Sequence, residues 1–196
     1  TVAEAWRHMA NGYRHFPLTN TFQYYGPMHD GPVWPLLAEP ADALLAPTWL
    51  LASSRTLQPY PPSGDRIGEA FADAYSLEEV LHLCRRMSEE WDRGVSVWRQ
   101  IEAAFASDRE RTQDIGVARA LGIQFRSGLN ILRFYELRER LLRTDGDERM
   151  SLVEQMEQLV QEELKGDAEL LDLCAGDPRL GFHSEAEGYK YFPEKI

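Results

Sequence analysis

Cysteine is scarce in this chain of 196 residues: there are two, Cys84 and Cys174. Two cysteines cannot build the disulfide framework of a small secreted domain, and no C-x-x-C pair suggests a redox or zinc site. Long apolar runs are missing as well. None approaches the roughly 20 residues needed to span a bilayer, and the N-terminus is amphipathic rather than a signal peptide. Basic residues are outnumbered, 21 against 32 acidic, giving a formal charge of −11. Such a chain is repelled by phosphate backbones and anionic headgroups, so nucleic acid and membrane are not expected partners. G-x-S-x-G and the phosphate-cradling glycine loop are also absent, which removes the α/β-hydrolase and P-loop readings.

What is present is helix. Hydrophobic residues make up 43% and charged residues 27%, ordinary values for a globular domain. The central stretch, Ser107 to about Arg143, opens with an S-x-x-E capping box at Ser107 and Glu110. Ile115, Ala118, Leu121, Gly122, Phe125, Leu129, Leu132, Tyr135 and Leu142 then recur at helical spacing. They form a stripe broad enough to need partners on more than one side.

Two long helices flank it. Ser76 and Glu79 make a second capping box, followed by a heptad seam of Leu77, Cys84, Trp91, Trp98 and Phe105 with Val80, Met87, Gly94 and Ile101. We read that seam as core, with Trp91 and Trp98 on the central helix and Gly94 admitting a neighbouring backbone or Phe125. After a tight turn at Thr144–Asp147, a third helix runs from about Glu148 to Cys174. Val153, Met156, Val160, Leu164, Leu171 and Cys174 are expected inward, and Gly166-Asp167 should kink or break the helix. Short links make neighbours antiparallel, so Cys84 and Cys174 fall roughly 25–30 Å apart and stay free thiols. Free thiols are compatible with a reducing compartment, and the cytoplasm is the expected location.

Val2 to His15 reads as a further amphipathic helix facing inward through Val2, Trp6, Met9 and Tyr13. Residues 17–62 carry most of the prolines together with several aromatics, which predicts an irregular but ordered layer. Ala41 to Leu51 suits either a short strand or a short helix, and another short helix is expected around Ile67 to Ala74.

Charge divides along the chain. From Ser107 to Arg143 there are eight arginines and five acids, and from Asp147 to Ala175 nine acids and two bases. Basic and acidic helices side by side complement each other internally, so the arginines are not read as a ligand patch.

Three places invite chemistry. His183, Glu185 and Glu187 in the tail are good zinc or manganese ligand types, but one short stretch lacks a distant ligand. A hydrogen-bonded strap across the bundle is the favoured reading there, with no metal and no cofactor. Tyr24, Tyr25 and Trp34 on a Pro/Gly-rich loop, with Gln23, His29 and Asp30 nearby, could stack and bond a sugar or plug the bundle. The carboxylate pairs Glu89/Glu90 and Glu162/Glu163 are adjacent on helices, point apart and read as solvated faces.

The stretches Tyr25-Gly26-Pro27…Gly31-Pro32-Val33-Trp34-Pro35 and Asp177-Pro178-Arg179-Leu180-Gly181-Phe182-His183-Ser184-Glu185-Ala186-Glu187-Gly188-Tyr189 resemble the C-terminal helical region of large bacterial glycoside hydrolase-like proteins. The resemblance implies that the acid and the nucleophile or base sit on a (β/α) barrel elsewhere. This chain has no alternation of strands and helices to build one. It therefore implies an accessory domain, silent by itself, whose partner is the catalytic domain of the same polypeptide, with carbohydrate as a further partner. A start at Thr1 rather than Met fits a fragment of something longer.

The expected fold is mainly α and one domain: an N-terminal helix and Pro/aromatic layer (1–62), an up-down-up bundle (63–176), and a tail packed back on it (177–196). The layer should cover one end, where the aromatic loop and the tail meet. His183, Glu185 and Tyr189 are the tail residues expected at that junction. A protein-interaction or dimerisation module is the alternative function, and a small metal-dependent enzyme the second alternative.

Overall fold

Ser76 accepts a hydrogen bond from the Glu79 backbone N–H at 3.2 Å, and the Glu79 carboxylate takes the Ser76 N–H at 2.7 Å. That box opens a helix where the sequence placed one. The same device, unread in the sequence, opens the chain at Thr1 and Glu4. The computed structural model describes residues 1–19, 22–23, 26–38, 67–72, 74–180, 182–183 and 188–189. Within them the architecture is mainly helical.

Among the described residues five α-helices have both ends in place: α1 (Val2–Tyr13), a single turn α2 (Pro27–Asp30), α3 (Leu77–Ile101), α4 (Arg109–Leu141) and α5 (Glu148–Gly176). Short 3-10 turns lie at Gly31–Val33, Ile67–Ala70 and Glu102–Phe105. Phe182–His183 (β1) and Gly188–Tyr189 (β2) pair antiparallel, Phe182 with Tyr189 and His183 with Gly188.

The start of α4 differs from expectation. Its cap is Asp108, whose carboxylate accepts from the Arg111 N–H at 3.1 Å, and not Ser107. The chain is still in the turn after Phe105 at Ser107, and the Asp108 N–H is tied back to the Phe105 carbonyl at 2.8 Å. A carboxylate is also the better partner for the positive end of a helix. The breadth of the α4 stripe holds. Ile115, Ala118, Phe125, Leu129, Leu132 and Tyr135 are buried, and so are Ile123, Ile131, Phe134 and Leu137 around the helix. Leu142, placed in the stripe by its spacing, lies beyond the helix and is exposed.

Contacts between α3 and α4 pair rising with falling residue numbers. Trp91 meets Phe125 edge-on at 4.9 Å between ring centroids, and Glu102 meets Arg119 at 3.6 Å. Between α4 and α5 the same holds, with Arg119 to Glu169 at 2.8 Å and Arg140 to Glu148 at 3.2 Å. These last two pairs are the complementarity of basic and acidic helices expected from the charge pattern. The link between α4 and α5 turns at Gly146, whose φ of +79° suits glycine.

The third helix turns a different face inward. Leu152, Met156, Leu159, Glu163 and Leu170 are its buried residues, while Val153 and Leu164 are 41% and 55% exposed. It also runs unbroken through Gly166-Asp167, so the break expected there does not occur. A glycine costs a helix about 1 kcal/mol relative to alanine, too little to break one held by packing on both sides of it.

The face of α1 is shifted too. It buries Ala5, Met9 and Gly12 and leaves Val2, Trp6 and Tyr13 exposed. Small residues win this face because the helices approach closely. A Cβ on Gly94 would lie 2.8 Å from the Ala5 carbonyl oxygen, and one on Gly12 would lie 2.8 Å from that of Met87. Gly94 thus admits α1, where the sequence left Phe125 as one candidate. Trp91 faces α4, donating from Nε1 to the Ala118 carbonyl at 2.8 Å. Trp98 instead packs edge-on against Trp6, with centroids 6.2 Å apart.

Of the Pro/aromatic-rich stretch 17–62, residues 17–19, 22–23 and 26–38 are described, and the rest, including Ala41–Leu51, lies outside the described residues. Residues 28–37 run along the C-terminal half of α4, which supplies side-chain partners to backbone groups that proline leaves without regular pairing. Gln124 Nε2 donates to Met28 and His29 carbonyls at 3.0 and 3.2 Å, and the Tyr135 hydroxyl to the Pro35 carbonyl at 2.6 Å. Cys84 is buried and Cys174 half-buried, and both are free thiols. No helix among the described residues is long and apolar enough to cross a membrane.

Candidate functional site

The residues singled out from the sequence fall in three groups. His29 and Asp30 close the turn α2, with His29 Nδ1 3.4 Å from Asp30 Oδ1, and both side chains are mostly covered. Trp34 follows the adjoining 3-10 turn and is half-buried against the core. The structure therefore gathers His29, Asp30 and Trp34 beside α4, where the aromatic ring packs inward rather than offering a face. His183 and Tyr189 are brought near each other by the β1–β2 pairing of their backbones. Tyr24, Tyr25, Glu185 and Glu187 lie outside the described residues, and so does the expected junction of loop and tail. Among the described residues no group of three or more His, Cys, Asp or Glu is placed to hold a metal ion.

The polar centre of the described structure is elsewhere, at Glu163. The sequence reading has Glu162 and Glu163 pointing apart on solvated faces, and for Glu163 this is overturned. Glu163 is only 9% exposed, pointing from α5 into α4. Ser127 Oγ donates to one carboxylate oxygen, and Asn130 Nδ2 donates to the other at 2.8 Å. Residues 127 and 130 are three apart on α4 and so share a face, which lets both donors reach one carboxylate. Burial raises the Glu163 pKa, against the lowering effect of those two hydrogen bonds.

One turn along α5 sits Asp167. Its Oδ1 is buried and has no hydrogen-bond partner. Burial, and then the charge of Glu163, push its carboxyl from the usual 3.8 up to about 7. The two acids line a cavity of about 220 Å³ together with Asn130 and Arg126. Lys165 also lines the pocket from the exposed side of α5, while the arginines near it are engaged. Arg126 is paired with Asp92 of α3, and Glu169 gathers Arg119 at 2.8 Å and Arg99 at 3.0 Å. Burial works against Glu169 ionising, but the hydrogen bond from Arg119 and the two arginine charges hold its pKa below the ordinary value.

Glu90, the other acid read as solvated, is also tied down. It accepts from His8 Nδ1 at 3.1 Å and pairs with Arg93, fastening α1 to α3. Its bond to His8 is the main cause of its lowered pKa.

Chemically, the Glu163 cluster can store and release a proton. The Ser127 hydroxyl donates to the Glu163 carboxylate and serves to hold it. The signal for this cluster was in the sequence, as an acid on the buried α5 face opposite two donors on α4. It becomes visible only once the facing register of the two helices is known. Searches against protein-family models, curated proteins and solved structures found no match.

Proposed function

We propose that this chain is an accessory helical domain of a larger bacterial carbohydrate-active polypeptide and that it works by contact rather than by chemistry. In this reading α3, α4 and α5 form an up-down-up bundle with α1 as a fourth member, and the Pro/aromatic layer belongs to the same unit. The observation that carries the proposal is the outer face of α1. Trp6 and Tyr13, seven residues apart and so on one side of the helix, are 50% and 58% exposed, with Val2 beside them. Half-exposed aromatics on a rigid helix suit a contact with another domain or the C–H face of a sugar, since the ring packs while its edge stays wet. The resemblance of the two quoted stretches to helical regions of glycoside hydrolase-like proteins supports the same reading.

The partner is the catalytic domain of the same polypeptide, and the test is calorimetric. In that polypeptide, Trp6→Ser with Tyr13→Ser should split a joint unfolding transition into two. The isolated chain should keep its melting temperature to within a few degrees, because neither side chain is core. Hydrolysis of aryl glycosides by the isolated chain would contradict the proposal.

A self-association reading has its own support in the outer face of α5, where Met150, Val153 and Leu164 are exposed. Sedimentation of the isolated chain separates the two: a tight dimer lost in Val153→Glu favours self-association.

A further inference from the structure

Glu163 and Asp167 are four residues apart, so their carboxyls stand on one face of α5, one above the other, at the seam with α4. Their surroundings are unequal. Glu163 has two donors aimed at it from α4, Ser127 and Asn130, which fit a carboxylate. Asp167 Oδ1 is buried with no donor at all. An ionised carboxylate with one oxygen buried and without a donor is costly, and a second carboxylate beside it adds repulsion in a region of reduced dielectric.

The other charged groups around the cavity do not relieve this. From α4, Arg126 lines the cavity, but it is paired with Asp92 on α3. From α5 itself come Glu162, which adds negative charge, Lys165, which is exposed on the helix surface, and Glu169, which is held by Arg119 and Arg99.

We propose that Glu163 and Asp167 form a proton-operated joint between α4 and α5. While Asp167 holds a proton, the seam is closed at this level. When the proton leaves to solvent, two carboxylates face the same open pocket of about 220 Å³, and the local packing of α5 on α4 loosens. The setting of Asp167, pushed up to about 7, brings the change into the neutral range rather than the acidic range of ordinary carboxyls. Of the five helices, α4 and α5 are the longest, so a loosened seam between them changes the relative freedom of the two main supports of the domain.

The intact chain tests this by carbon-13 NMR titration of the Asp167 carboxyl, with amide hydrogen exchange along α5 measured at pH 5 and pH 8. The Asp167 carboxyl should titrate near neutrality. After correction for intrinsic exchange, amides around Glu163 should be less protected at pH 8 by up to about a hundredfold, the factor carried by the two pH units from 5 to the Asp167 midpoint of about 7. Asp167→Asn should keep the pH 5 protection at both values. A titration midpoint near 4, or equal protection in the wild-type chain at both pH values, overturns the proposal. So does pH-dependent protection that survives in Asp167→Asn. If that variant does not fold, the two wild-type measurements decide the matter between them.

Discussion

Ser127 on α4 donates its hydroxyl to the Glu163 carboxylate on α5, inside the seam of the two longest helices. A buried acid is tolerated there because α4 presents two donors to it. The bonds orient the seam as well as satisfy it, since only one register of α5 on α4 sets the carboxylate between Ser127 and Asn130.

Removing one donor should therefore be more harmful than removing an exposed hydrogen bond. Asn130→Ala leaves one Glu163 oxygen without its partner at a buried position. The expected loss is about 1–3 kcal/mol, read as a lowered urea midpoint with an unchanged slope.

Stability should have a sloping neutral limb. Asp167 and Glu163 are raised in the folded chain, so their contribution is fully present below their unfolded pKa values and is lost as pH climbs through the folded ones. For Asp167 that window runs from about 3.8 to about 7. Glu90 and Asp177 have the opposite sign. His8 lowers the first and Arg179 the second, so their contributions are present above the unfolded values and are lost as pH falls through the folded ones. Melting temperature against pH should then peak in the mildly acidic range, with Asp167→Asn flattening only the neutral limb.

Two glycines make a paired test of the packing. Gly94→Ala drives a methyl to 2.8 Å from the Ala5 carbonyl oxygen on α1, an overpacking that should cost about 1–3 kcal/mol. Gly116→Ala, within α4, meets only Leu173 Cδ2 at 3.7 Å. It should stabilise by about 0.5–1 kcal/mol through helix propensity. Thermal denaturation of both variants checks the sign of each.

The tryptophans should separate sharply. Trp91→Ala removes a buried ring and its bond to the Ala118 carbonyl, an expected loss of about 3–5 kcal/mol in chemical denaturation. Trp6→Ala, half exposed, gives up mainly the edge contact with Trp98, about 0.5–1.5 kcal/mol.

These contrasts mark how far the sequence could be read. The Ser76 box, the heptad seam through Cys84 and Trp91 and the breadth of the α4 stripe follow from local chemistry, and the structure contains them. The faces of α1 and α5 do not follow, because each helix carries two apolar stripes. On α5 the expected stripe of Val153, Val160 and Leu164 lies beside a second stripe of Leu152, Leu159 and Leu170, which is the one buried. The buried stripe also contains Glu163, whose charge argues against it until its donors on α4 are known. On α1 the close contact selects Ala5 and Gly12, residues that a search for large apolar groups passes over. Of the candidate site, His29, Asp30 and Trp34 are found together beside α4, whereas the Glu163–Asp167 pair depends on helix register: from sequence Glu163 falls on a solvated face and Asp167 at a kink or break.

The central claim is that this chain acts by presenting the outer face of α1 to a neighbouring catalytic domain. Scanning calorimetry of the larger polypeptide, with and without Trp6→Ser and Tyr13→Ser, tests it most directly. The account predicts one coupled transition in the unaltered polypeptide and two in the variant, with the isolated chain's own transition little moved. Identical coupled transitions with and without the substitutions would contradict it.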